Sequence, residues 1–591
     1  MATVVSAAAN LQLLLTTKSC EERTVGAGRL PADAGGDRRI ERVNPPPFDR
    51  RAHLTRLGAE TFDVLVVGGG ITGAGVALDA AGRGLRVALV DKGDLASGTS
   101  SKSSKLAHGG LRYLQQGEFG LVYEALHERQ RLLQNAAHLV RPLPFLIPVT
   151  SKGGVVSRKV GWALGQAMWL YDLTGGARIG KLHRKLSKAD ALSHLPTMPS
   201  ERLAYGYLYF DAQVDDARLT LAVARTAASL GAAVATYAPV VALRTGADGQ
   251  VCGATVDADG TRIDIDARVV VNATGVWTDD VLGMGAGTHD ATVRPAKGIH
   301  VTVPWDKVRN DIAVVIPVPK DRRSLFLVPW LPNGDGTFQL TYIGTTDTDY
   351  DGPLDDPVCT HDDVAYVLRA LNASVTTGVT EADVVATWAG LRPLVRSTEV
   401  SARTADLSRG HVVKVAANGV VTVTGGKLTT YRHMASDGVD EVVRRVGGNP
   451  RQRRSRTGTQ RLVGAPATRP AGTLDHLTGR FGTEADAVRA LAAADPSLAA
   501  PLVPGLPYQR AEAVFAVQHE MATTLTDVLD RRTRARLQDR DATAAAAHDV
   551  ARLIGPLLGW DDDRSTAEAA LYRAALAAER DGAGLPLAHP A

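Results

Sequence analysis

Between Ser100 and Leu114 the chain reads SSKSSKLAHGGLRYL, with hydroxyls, two lysines, a histidine, an arginine and a tyrosine around a Gly-Gly pair. Such a stretch can hold an anion through hydroxyls, open backbone N–H groups and cations, and His108 can carry a proton. Arg112 is suited to a bidentate grip on phosphate, where an ordinary surface ion pair would contribute only ~0–1 kcal/mol. What stands just before it decides between these readings. Gly68-x-Gly70-x-x-Gly73 follows the apolar run DVLVV, AGVALDAAGRG reads as a helix ending at Gly84, and LRVALVD reads as a second strand with Asp91 at its end. In such a unit Gly68 permits the tight turn, Gly70 lets backbone approach a pyrophosphate, and Gly73 lets helix and strand pack closely. The helix N-terminus presents N–H groups to the anion, and Asp91, about 20 residues on, can accept from an unphosphorylated ribose. The spacing predicts a dinucleotide site and argues against NADP.

Two later strand ends point to a flavin. ARVVVNATGVWTDDV carries Gly275 behind a buried strand, and GVVTVTGGKLTTYRHMA carries Gly426 before an apparent helix start at Lys427, Leu428 and Thr429. A second glycine-lined strand end suits a long cofactor lying extended across one domain. A helix start there could stabilise negative charge on a reduced ring. Thr99, Ser100, Ser101 and Ser104, with Lys105 and Leu106, follow the second strand and can meet the cofactor's phosphates and ring. More cations arrive from afar: KGIHVTVP brings Lys297 and His300, GLRPLV brings Arg392 between glycine and proline, and DLSRGH brings Arg409. Several cations converging on one site imply a small anionic substrate, and a phosphate monoester fits.

The elements that position these residues divide the 591-residue chain. The expected class is α/β, with a discontinuous Rossmann-like flavin domain over about 60–135, 205–295 and 385–447. Inserts near 140–205 and 295–385 alternate or run apolar and suit an antiparallel substrate sheet. Residues 448–473 read as a basic, Pro-containing, solvated linker, and 474–585 as a C-terminal domain of amphipathic helices. Residues 1–58 are rich in Gly, Pro and charge and read as a disordered extension without a secretory signal.

Composition excludes several classes. Lys+Arg 67 against Asp+Glu 63 is too even for nucleic acid to be the partner, so any basic site is local. Three scattered cysteines give neither a disulfide framework nor a zinc motif, no metal is expected, and a reducing compartment fits. No apolar run approaches the ~20 residues that span a bilayer.

The order GxGxxG, TSSKSSKLAHGGLRYL, VDDARL, NATGVW, KGIH, IGTTD, GLRPL, GGKLTTYR resembles the FAD-dependent, respiratory glycerol-3-phosphate dehydrogenases, flavoproteins of the glycine/D-amino-acid oxidase type. The resemblance runs from about Thr61 to Leu585. It implies FAD as cofactor and a substrate pocket lined by His108, Arg112, Tyr113, His300, Arg392, Arg409, Lys427 and Thr429. It implies oxidation of sn-glycerol 3-phosphate to dihydroxyacetone phosphate, with the C2 hydride passing to FAD. Arg392 and Arg112 would hold the phosphate, helped by Arg409 or Tyr113, and Lys427 and Thr429 would orient the C2 hydroxyl. His300 or His108 would be the base, with His300 preferred. Electrons would pass to a membrane quinone, so the protein would be cytoplasmic or peripheral on the cytoplasmic face of the plasma membrane. The segment from Ser151 to Lys185, with Trp162, Met168, Trp169 and Leu170 among basic flanks, suits either interfacial contact or core packing. A homodimer stays open. The alternatives are a glycerol-3-phosphate oxidase that uses oxygen and a non-catalytic flavin-binding scaffold.

Overall fold

A computed structural model describes residues 48–110, 118–151, 156–157, 161–173, 179–285, 292–319, 323–396, 410–470, 472 and 474–587. Arg112, Tyr113 and Arg409 lie outside these residues, as do residues 1–47 of the predicted N-terminal extension.

The run TFDVLVV forms the strand Thr61–Val67, buried from Val64 onward. It pairs in parallel with Val87–Val90 on one side and with Thr261–Asn272 on the other. Burial on both faces explains why residues 64–67 and Val87–Val90 read as continuous apolar runs, whereas Thr261–Asn272 alternates until its buried end at Val269. The order across this sheet is 411–415, 421–425, 261–272, 61–67, 87–90, 233–235, and an antiparallel pair, 240–245 and 251–258, extends it from 261–272. The helix Ile71–Gly82 starts directly after the glycine turn and packs on the helix Tyr431–Val446. Gly75 permits that approach, since a Cβ there would stand 2.8 Å from the Tyr431 ring.

A second, mostly antiparallel sheet of eleven strands stands over the first. Near one end of it the strand Val293–Pro304 pairs with Phe338–Gly344 on one edge and with Ala386–Val395 on the other. The strands Leu203–Val214 and Ala386–Val395, grouped from sequence with the flavin half, both belong to this second sheet. A buried apolar strand shows its period but not its sheet, which is why composition misplaced them.

Two readings of irregular chain change. Within the extension predicted as disordered, residues 50–59 form a helix with Asp49 as its N-cap and Leu57 fully buried. Arg50 reaches across to Asp259 and to the Thr236 carbonyl. Few residues make this contact, so composition conceals it. The basic segment after Gly447 is not a free connector either. Leu462 is buried, its N–H donates to Asn135, and the Ser455 hydroxyl donates to the buried Asp79.

The C-terminal helices form as the periodicity predicts: among them Arg510–Glu520, Arg540–Leu558 and Asp562–Gly582 pack around Val528, Leu529, Val550 and Ile554. They are tied to the flavin half by buried charge. Asp94, four residues from the end of the second strand, accepts from Arg531 (2.6 Å) and from Arg532 (2.7 and 2.8 Å). Opposite charges and paired hydrogen bonds hold the Asp94 carboxyl below its ordinary value despite full burial. Asp94→Ala leaves two guanidinium groups buried without this partner. We expect a loss of about 3–5 kcal/mol in chemical denaturation, and a loss under ~1 kcal/mol would remove Asp94 as the anchor.

Candidate active site

One cavity of ≈ 520 Å³ lies between the two sheets. Its walls come from Gly68, Gly70 and Asp91 of the nucleotide unit, Ser97–Ser100 of the following loop, Gly425–Thr429, and the strand pair that carries His300 and Arg392.

The glycine turn behaves as its spacing predicts. Gly68 has φ +107, and a Cβ there would meet the Ala273 carbonyl at 2.7 Å. A Cβ on Gly73 would run into the Gly68 carbonyl. Gly70 caps the helix with no side chain of its own, and the Ser100 hydroxyl accepts from the Ile71 N–H at 2.9 Å. Asp91 accepts from the N–H groups of Gly69 and Gly93, and burial pushes its carboxyl up to about 6. A ribose that donates to this carboxylate would satisfy it further. Gly275, at φ +64, leaves open space where a Cβ would be. At Gly426, φ +70 and a would-be Cβ 2.4 Å from the Met434 sulfur leave no room for a side chain. An elongated cavity with an acidic group at one end, glycines along it and a basic wall at the other fits FAD.

The substrate end is set by strand parity. Gly298 and His300 of Val293–Pro304 pair with Gly390 and Trp388 of Ala386–Val395, and Arg392 lies two residues beyond Gly390. Successive residues alternate faces, so Gly298, His300, Trp388, Gly390 and Arg392 share one face. Lys297 falls on the other, where it pairs with Asp363 at 2.6 Å, and it does not line the cavity. The glycines are required. A Cβ on Gly298 would stand 2.6 Å from the Arg392 guanidinium, and one on Gly390 would stand 2.7 Å from the Lys102 carbonyl.

His300 stacks on Trp388, with centroids 4.6 Å apart and planes at 9°, and exchanges a 2.9 Å hydrogen bond between Nε2 and the Ser104 hydroxyl. Its Nδ1 is buried without a hydrogen-bond partner. Burial first, then the positive charges of Lys105 and Arg392, hold the imidazole well below 6.5. It is therefore a neutral ring able to accept a proton. Arg392 donates to the Asp347 carboxylate (3.2 Å), the Thr345 hydroxyl (3.1 Å) and the Thr346 carbonyl (3.1 Å), so its plane is fixed.

His108, Leu106, Ser104, Lys427, Leu428 and Thr429 also line the cavity. The His108 N–H donates to the Thr429 hydroxyl at 3.2 Å, which joins the Ser/Lys loop to the GGKLTTYR turn. Lys427 precedes a short 3-10 turn, Leu428–Thr430, and the α-helix begins one turn later, at Tyr431. Ser101 and Lys105 do not line the cavity. The Lys105 amine lies buried against Asp216 (3.3 Å) and the Ser101 carbonyl, and burial pulls it down to about 8.

Sequence reasoning passed over Asp216, Trp388, Gly344, Thr345 and Asp347. VDDARL and IGTTD held Asp216, Gly344, Thr345 and Asp347 in plain view, yet no role was given to them. Asp216 accepts from the Ser103 N–H and hydroxyl (3.0 and 2.7 Å) and so fixes the loop next to Ser104.

The comparisons agree with this geometry. Residues 63–432 match the model for "FAD dependent oxidoreductase", and 439–565 match that for the "C-terminal domain of alpha-glycerophosphate oxidase". "Glycerol-3-phosphate dehydrogenase 2" of Mycobacterium tuberculosis is 41% identical over 552 residues, covering 90% of this chain and 91% of its own. The chain belongs to the FAD-dependent glycerol-3-phosphate dehydrogenase family. The human mitochondrial glycerol-3-phosphate dehydrogenase is 36% identical over 556 residues, covering 88% of this chain and 74% of its own. The solved glycerol-3-phosphate dehydrogenase of Bacillus halodurans, complexed with FAD, superposes with a TM-score of 0.71 at 28% identity, covering 91% of this chain and 98% of that one. The cofactor of this dehydrogenase fold is FAD, and the expected α/β class with an antiparallel second sheet and C-terminal helices stands.

Gly344 faces His300 across the strand pair, and a Cβ there would lie 2.1 Å from the imidazole Cδ2. Gly344→Ala should displace the ring while leaving the distant nucleotide end intact. We expect stoichiometric FAD with kcat reduced about 10²-fold, as misplacement near the chemistry costs. Unchanged kcat would remove His300 from the reacting geometry.

Proposed function

We propose that the protein oxidises sn-glycerol 3-phosphate to dihydroxyacetone phosphate and passes the electrons to a membrane quinone. The observation that supports this most is His300 and Arg392 on one face of a strand pair, bordering the same cavity as the glycine turn and the Gly425–Thr429 wall. Bound FAD supplies the two-electron acceptor. Arg392, flattened against Thr345 and Asp347, meets the substrate phosphate from the cavity wall. Arg112, Tyr113 and Arg409 are proposed to complete that grip. Lys427 and Thr429 orient the C2 hydroxyl. His300, neutral and stacked, takes the hydroxyl proton, while Ser104 and Trp388 hold the ring in place. His108 lies on the same wall as a second proton-carrying group.

Placing the oxidisable carbon by its remote phosphate is the use of binding energy that lowers the barrier. Arg392→Leu should therefore raise KM about 10²-fold and also lower kcat, read in anaerobic bleaching of the flavin by glycerol 3-phosphate. A variant that bleaches like the parent would refute the phosphate grip. Because the base must be deprotonated and its folded pKa is depressed, kcat should hold as pH falls through 6.5 and drop only below it. A kcat limb at or above 6.5 would point to another base.

The helix Gly161–Leu173 and the basic segment after it support a membrane-borne acceptor. Met168 and Tyr171 are buried, so part of the helix packs in the core, whereas Trp169 is 52% and Leu173 80% exposed. The exposed Lys181, Leu182, Arg184 and Lys185 stand close by in sequence. Apolar rings and cations together suit the interfacial zone of an anionic bilayer. No helix among the described residues is long and apolar enough to cross a membrane. Trp169→Ala with Leu173→Ser should abolish sedimentation with anionic vesicles and leave bleaching by substrate intact. In turnover, a short-chain quinone should reoxidise the flavin faster than oxygen, and rapid oxygen uptake with peroxide would favour the oxidase.

A further inference from the structure

Outside the cavity, three side chains from three elements converge their donor atoms, and a fourth, Asp437, stands beside them. His433 and Asp437 stand four residues apart on the helix Tyr431–Val446, so they share one face. His411 opens the strand His411–Val415, and Glu124 comes from the helix Phe119–Asn135. Nitrogen and oxygen atoms of Glu124, His411 and His433 all lie within 4.8 Å of one another. His433 Nδ1 is 3.3 Å from Glu124 and 3.9 Å from Asp437, while His411 Nε2 is 2.8 Å from Asp437. The two imidazoles meet edge to face at 86°, their centroids 5.4 Å apart. His433 Nδ1 is shielded from solvent, with the Glu124 carboxylate as its nearest charged neighbour.

These spacings lie within reach of one chemistry after small side-chain adjustments. Zinc holds nitrogen and oxygen ligands at about 2.0–2.2 Å, so neighbouring tetrahedral donors stand roughly 3.3 Å apart. Two neutral imidazoles and one carboxylate leave a fourth position for water, a set that zinc takes, and the Asp437 carboxylate beside the imidazoles adds a second negative charge. Magnesium and calcium prefer all-oxygen sets, so nitrogen donors select a zinc-class ion. The side chains are 14–40% exposed, so an ion has access from solvent.

We infer that Glu124, His411 and His433 bind one zinc-class divalent cation at the outer side of the Gly425–Thr429 wall, with Asp437 beside the two imidazoles as their outer partner. A Cβ placed on Gly426 would be 3.1 Å from the His411 Cβ, so the ion lies one residue behind the cavity. It cross-links the helix Tyr431–Val446, the strand beginning at His411 and the helix Phe119–Asn135. The ion is not asked to act on substrate; its effect is to fix the wall that carries Lys427.

The test uses the FAD-loaded full chain, first stripped with chelator. Zinc titrated against a chromogenic competitor should show one site per chain at micromolar or tighter Kd, with magnesium and calcium failing to compete at millimolar concentration. His433→Ala should weaken that site at least 100-fold while the flavin spectrum stays as in the parent. If that variant misfolds, His411→Ala alone serves. Binding weaker than ~100 μM in the parent, equal competition by calcium, or undiminished binding in folded variants would each overturn the assignment. Zinc should also raise the parent's thermal midpoint by mass action and leave the variant's unchanged.

Discussion

The site depends on one strand pairing. Val293–Pro304 and Ala386–Val395 run antiparallel in a register that sets Gly298 against Gly390 and His300 against Trp388. A slip of one residue would turn His300 and Arg392 to opposite faces, because side chains alternate with a period of two. Two facing glycines at the middle of a buried pair weaken the sheet, since they offer nothing to pack. Here the missing side chains make the floor on which the Arg392 guanidinium lies. Stability is given up locally for space, and the ring contacts among His300, Trp388 and Tyr342 restore a rigid wall.

The second constraint is electrostatic. Arg534, nearly fully buried and at φ +90, donates to Asp215 and Asp216, and Asp216 in turn holds Ser103 and Lys105. Ser104, the neighbour of both, is the hydrogen-bond partner of His300. The C-terminal region thus reaches His300 through two side chains and a loop. Buried ion pairs are poor sources of net stability because desolvation offsets much of their attraction. They are strict about geometry, however, since each carboxylate has several donors at fixed positions. This explains how a region without cavity-lining residues of its own bears on the site. Arg531 and Arg532 at Asp94 do the same for the loop below Asp91.

Much of this was legible in the chain. The glycine turn, both strands around it and the acid at Asp91 follow from local periodicity and spacing, which tertiary contacts scarcely alter. The cavity also gathers His108, His300, Arg392, Lys427 and Thr429, which come from segments as much as 321 residues apart and were grouped through resemblance. Spacing alone could not have joined them. Lys297 and His300 show the limit and its remedy: both are polar residues in one short motif, and strand alternation separates them onto opposite faces. Lys105 illustrates a different limit. A lysine in a Ser-rich loop beside a phosphate site looks like an anion ligand, until Asp216, 111 residues away, takes its charge. The helix at 50–59 escaped because a helix needs only two or three buried residues to dock, too few to lift a polar window.

Charge accounting then constrains how the cavity selects its ligand. On the cavity wall Arg392 faces Asp347, and behind the wall Lys105 faces Asp216, so neither charge stands bare. A pocket of unpaired cations would attract any anion and would be costly to desolvate before one arrived. Partnered cations with fixed planes hold less net charge but aim their donors, which favours a ligand whose oxygens match the pattern over one that merely carries charge. The same arrangement protects His300. Its low proton affinity comes from burial and from two nearby cations, each held by a carboxylate of its own. One wall therefore sets a partnered guanidinium beside a neutral imidazole.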